Sequence, residues 1–206
     1  DTGFEFRKQW QKLVESSNAT KLTGLILDLR SNPGGLVTAA VDLADEFLAE
    51  VVIVSIKGRN ALTNTTYYGK PGQSFEGVKV LVLIDAGSAS ASEILAGALQ
   101  DHQRATIMGS RSFGKGSVQN VFYLDNGDAF KITTARYYTP NNRSIQAQGI
   151  VPDVLLEGNG KAGYTEKDLP KHINGGTVDN NQAESGIVLT GDVYIDKALA
   201  YLKQQK

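Results

Sequence analysis

The sequence predicts an α/β layered domain with at least partly parallel strand pairing. Three observations carry that expectation. Short apolar runs at residues 23–29, 51–56, 79–85 and 104–109 have strand character. Segments of helical periodicity at 4–17, 36–48 and 90–100 alternate with them. Dense turn signals of Ser, Asn, Pro and Gly punctuate the alternation, and no internal repeat of fixed period is present.

Taken in order, residues 4–17 place Phe6, Trp10, Leu13 and Val14 at helical spacing. TGLILDL (23–29) is an apolar run closed by Asp28 and Arg30, and Ser31-Asn32-Pro33-Gly34-Gly35 follows as a turn. Residues 36–48 put Val37, Val41, Ala44 and Leu48 on one helical face. A strand at 51–56 leads into the polar stretch 57–77, expected to be a hairpin or a surface excursion. KVLVLID (79–85) is another buried strand, followed by the small-residue turn 86–88, a helix to about Gln100 and a short strand at 104–109. Two β-rich runs at 117–124 and 129–138 flank Asp125-Asn126-Gly127-Asp128, a hairpin signal. Past Pro152 the chain becomes polar and rich in Gly and Asn over 158–187, expected to be loop. An amphipathic helix at 192–203, with Ile195, Leu199 and Leu202 apolar, closes the sequence.

Composition narrows the chemistry. The 206 residues are 41% hydrophobic and 21% charged, enough for one real core. A net charge of −1 with interspersed signs makes no electrostatic footprint for nucleic acid or an anionic membrane. With no cysteine, thiol nucleophiles, disulfides and Cys-based zinc sites are excluded. No apolar run is long enough to span a bilayer, and no signal peptide is read. The start at Asp1, with no initiator Met, is expected of a fragment or a mature form.

Reactive groups concentrate at two places. In DAGSASASEI (85–94), serines sit at a strand-to-helix junction, near helix-start N–H groups that have no internal partner. Such donors can stabilise a tetrahedral oxyanion. Ser90-Ala91-Ser92-Glu93 is equally a capping box, and that segment alone does not decide between cap and nucleophile. Of the two histidines, His102 lies roughly 15 Å along the helix from its start, and His172 sits in the polar tail. Both read as surface residues, so a Ser-His-Asp triad is not expected. Lysine can serve as base where burial lowers its pKa, and SFGKGS (112–117) offers Lys115 between two glycines. A phosphate loop fails there, because Gly116 stands where Ser or Thr is required.

Four collinear blocks resemble the carboxyl-terminal processing peptidases, or tail-specific proteases: GLILDLRSNPGGL (24–36), DAGSASASEILAGALQD (85–101), GSRSFGKGSVQ (109–119) and KITTARYYTPNNRSIQAQGIVPDV (131–154). The resemblance implies Ser90 as nucleophile, Lys115 as general base and Gln119 as the residue orienting that lysine. It implies an oxyanion hole built from the Ala91 N–H and that of Gly34 or Gly35, a choice the sequence leaves open. The implied fold is the crotonase/caseinolytic-protease-like domain of strand–strand–helix units, with 1–157 as catalytic core and 158–206 as a polar extension ending in a helix. The PDZ domain usual in that family is absent from this chain.

The same resemblance implies a serine endopeptidase that cleaves near unstructured protein C-termini or within unfolded proteins, in a bacterial periplasm or cell envelope, through an acyl-enzyme, with no cofactor or metal. A homo-oligomer or an adaptor is a further expected partner, and no nucleic acid is expected. Activity should rise with pH as Lys115 deprotonates. Two rivals are a non-catalytic binding or scaffolding domain of the same fold and an acyl-CoA-handling crotonase. In relatives, Gly commonly occupies the position of Asn142, a substitution that Asn's tolerance of left-handed backbone explains.

Overall fold

The computed structural model describes residues 2–16, 22, 24–72, 74–156, 164–170, 173 and 193–204. In chain order its first elements are α1 (Thr2–Ser16), β1 (Gly24–Asp28), α2 (Val37–Asp45), β2 (Val52–Gly58), β3 (Thr65–Tyr68) and β4 (Lys79–Ile84). They are followed by α3 (Ala91–Asp101), β5 (Ala105–Gly109), β6 (Ser117–Tyr123), β7 (Ala129–Tyr138), β8 (Val154–Leu155) and α4 (Val193–Gln204).

Two sheets form. One is wholly parallel, in the order β1-β4-β5-β8; the other is antiparallel, in the order β3-β2-β7-β6. The parallel sheet is covered on both faces, which is why its strands read as continuous apolar runs. Val80, Val82 and Ile84 of β4 join the larger core with Ala44 of α2 and Leu95 and Leu99 of α3. Leu81 and Leu83 point the other way and pack with Met108, Leu156 and Ala198 of α4. The closing amphipathic helix therefore covers the second face of that sheet.

Several expectations are corrected in detail. The second helix ends at Asp45, short of residue 48, because the Phe47 and Leu48 N–H groups both bond the Ala44 carbonyl at 3.0 Å and turn the chain. That turn delivers Phe47 into an aromatic cluster with Phe6, Trp10 and Phe75, the Trp10 and Phe75 rings lying 4.6 Å apart. The stretch 57–77 contains β3, so the hairpin alternative is realised. The two-residue β8 had no periodic signal to reveal it. His102 is not a plain surface residue: it ends α3, half-buried, with Nε2 2.7 Å from the Val52 carbonyl oxygen.

Most of 158–187, including His172, lies outside the described residues. Within it, residues 164–170 are tied to the core. The Glu166 N–H bonds the Phe113 carbonyl at 2.9 Å, and Glu166 Oε1 accepts from Gln146 Nε2 at 3.0 Å.

Candidate active site

β1 and β4 are parallel neighbours, so the turns leaving their C-terminal ends lie side by side, where open parallel sheets hold ligands. Hydrogen bonds lock the two turns together. Asp85 Oδ1 accepts from the Ser31 N–H at 2.7 Å and from the Gly87 N–H at 2.9 Å. The Asn32 carbonyl accepts from the Ala89 N–H at 3.0 Å and from Ser92 Oγ at 3.1 Å. Ser88 Oγ donates to the Leu29 carbonyl at 2.7 Å and receives the Asp85 N–H at 3.0 Å. Ser88 and Ser92 are thereby buried structural serines; of the three, only Ser90 is partly exposed.

Ser90 is the N-cap of α3, with φ 56° and ψ −115°. A non-glycine residue there carries strain of about 1–3 kcal/mol, tolerated only where the surroundings over-determine it. Its surroundings do. A Cβ on Gly34 would lie 2.5 Å from the Ala89 carbonyl oxygen and 2.7 Å from the Ala91 nitrogen, so only glycine, at φ 91°, lets the first turn approach this closely. Gly35 has nothing within 4 Å of the same construction. The Gly34 N–H is already held by Asn32 Oδ1 at 3.0 Å. Those of Gly35 and Ala91 have no hydrogen-bond partner among the described residues.

The lysine segment reaches this turn through Glu93. The carboxylate is 1% exposed and accepts four hydrogen bonds. Oε1 receives Ser112 Oγ–H at 2.5 Å and the Gly114 N–H at 2.7 Å, and Oε2 receives the N–H groups of Ser90 at 2.8 Å and Lys115 at 2.9 Å. Burial pushes its pKa up to about 7, against the lowering effect of these four donors. The glycines beside Lys115 are steric necessities: a Cβ on Gly116 would lie 2.3 Å from the Gln146 nitrogen, and Gly114 has φ 95° against residues 147–149.

That close main-chain packing leaves the Lys115 side chain exposed, which corrects the expectation of an amine desolvated by burial. Gln119 is exposed too, on β6, where the pairing with β7 shifts register between Val118 and Gln119. Sequence reasoning missed the larger part of Glu93, whose only signal was its place in the capping box, and all of Ser112, which receives the Ile150 N–H at 2.6 Å.

A model of peptidase family S41 matches residues 2–156 of this chain. The chain belongs to peptidase family S41. Curated S41 relatives include a carboxy-terminal-processing protease of Bartonella bacilliformis, 52% identical over 137 residues, spanning 66% of this chain and 32% of that protein. A carboxyl-terminal-processing protease of Synechocystis is 45% identical over 134 residues, spanning 65% of this chain and 31% of the relative. Among solved structures, the photosystem II D1 C-terminal processing protease superposes with a TM-score of 0.66 at 36% identity, covering 76% of this chain and 39% of the other. The S41 chain thus spans about a third of the length of the curated relatives it matches. Its mixed architecture of one parallel and one antiparallel sheet is the S41 fold.

Proposed function

We propose that this chain is the catalytic domain of a serine endopeptidase acting through a Ser90–Lys115 dyad. The observation that carries the reading is Ser90 itself: a partly exposed serine, strained at the strand-to-helix turn and joined through Glu93 to the lysine segment. Neutral Lys115 Nζ takes the Ser90 proton as Oγ attacks the scissile carbonyl carbon. The resulting ammonium protonates the leaving amine, and water then hydrolyses the acyl-enzyme with Lys115 again as base. Ala91 and Gly35 carry the open N–H groups that suit the oxyanion, while Gly34 provides the fit of the two turns. Gln119 orients the lysine from β6.

The substrates we assign are unstructured protein C-termini, in keeping with relatives named as C-terminal processing proteases. For a bacterial protein we place this activity in the periplasm or cell envelope. Residues 1–157 form the catalytic core in this reading, and 158–206 its extension. The exposure of Lys115 favours one alternative, a non-catalytic binding domain of the same fold.

The deciding experiment is labelling with a serine-reactive fluorophosphonate alongside cleavage of an unfolded protein with an apolar C-terminus. Ser90 modification and cleavage, both lost in Ser90→Ala and Lys115→Ala, support the dyad. Wild-type protein that neither labels nor cleaves supports the binding-domain alternative.

A further inference from the structure

Resting on the peptidase reading, we infer that Glu93 is a positioning residue that makes nucleophile and base a single rigid unit. One carboxylate oxygen receives the main-chain N–H of Ser90 and of Lys115, and the other receives Gly114 and Ser112. Ser90 begins α3, whereas Lys115 lies beyond β5 just before β6, so no local secondary structure relates the two. The Glu93 side chain joins their main chains directly. Its four donors include three backbone N–H groups, which cannot turn away, and two of those point at the same oxygen.

The Glu93 carboxyl offers two oxygens to these four donors. A glutamine of the same shape must point its NH2 at one of those positions, where at least one backbone N–H already points. The amide therefore repels Ser90 and Lys115, or Gly114, whichever way it is turned. A displacement of about 1 Å between reacting groups costs on the order of 100-fold in rate. Because Glu93 is buried beneath the reactive turn, it meets no substrate, and its loss should leave substrate binding intact.

The test compares wild type, Glu93→Gln and Glu93→Asp in the full chain, reading kcat and KM on an unfolded protein substrate and the rate of Ser90 labelling by a fluorophosphonate. Glu93→Gln should lower kcat and the labelling rate by about 100-fold, with KM within about 3-fold and far-UV circular dichroism unchanged. Glu93→Asp, which keeps the charge but is one methylene short, should recover part of the loss. A folded Glu93→Gln that labels and turns over like wild type overturns the inference and leaves the Ser–Lys reading standing. Wild type that never labels at Ser90 removes both.

If Glu93→Gln fails to fold, wild-type amide exchange decides. The Ser90, Gly114 and Lys115 amide protons should share one opening free energy, although the Lys115 side chain is exposed. Independent, fast exchange at Lys115 overturns the inference.

Discussion

The main-chain N–H groups of Ser90 and Lys115 converge on the same carboxylate oxygen, Glu93 Oε2, at 2.8 and 2.9 Å. The two residues are 25 positions apart in sequence and belong to different elements, yet one buried acid joins them. A capping interaction that elsewhere serves only a helix start here extends across to a second loop.

Two of the clustered serines, Ser88 and Ser90, should separate cleanly under alanine substitution. Ser88→Ala leaves the Leu29 carbonyl and the Asp85 N–H without their buried partner, a loss of about 1–3 kcal/mol read by urea denaturation. Ser90→Ala should abolish cleavage and fluorophosphonate labelling without lowering the unfolding midpoint. A destabilised Ser90→Ala protein, or an active one, would count against Ser90 as nucleophile.

The two glycines of the Asn-Pro-Gly-Gly turn should differ just as sharply. Gly34→Ala meets the Ala89 carbonyl and the Ala91 nitrogen at φ 91°, so it should lose activity and stability together. The left-handed backbone alone costs roughly 1–2 kcal/mol. Gly35→Ala enters open space and should keep a wild-type unfolding curve. Equal behaviour of the two variants would refute the packing described for Gly34.

Lys115→Arg tests the need for a neutral base. Guanidinium stays protonated throughout the working range, so this variant should fold normally and be inactive across pH 6–10. Residual activity in Lys115→Arg above a few per cent would show that another group accepts the Ser90 proton.

Stability should depend on pH through Glu93. Its native pKa, raised to about 7, lies above the ordinary glutamate value of 4.5, so the folded protein holds this proton where the unfolded chain has already released it. The contribution is fully present below about pH 4.5, declines as pH rises toward 7, and is flat above that. Each pKa unit is worth about 1.4 kcal/mol, which makes the decline on the order of 3 kcal/mol. Urea denaturation of wild type and Glu93→Gln from pH 4 to 8 isolates it: the difference between the two curves should change across this window. A pH-independent difference would place the native pKa of Glu93 near its ordinary value.

Residue patterns alone determined the strand–helix alternation, because burial on both faces demands continuous apolar runs such as KVLVLI in β4, and helical faces demand a period near 3.6. They determined the turn chemistry as well: Asn142 stands at φ 61°, in the left-handed region that Asn tolerates, and Ser90 and Glu93 pair as the capping pattern requires. Only the tertiary structure decided what those local signals were for. Glu93 reads as a cap because its near partner is three residues away; its other donors, at 112, 114 and 115, arrive by a crossover through α3 and β5 that no local pattern encodes. Gly34 and Gly35 are alike in the sequence, and differ because one abuts Ala89 and Ala91 while the other faces open space. The exposure of Lys115 was hidden for the same reason. Whether a side chain is buried depends on what packs over it, and the glycines around Lys115 in sequence set its main chain without burying the residue.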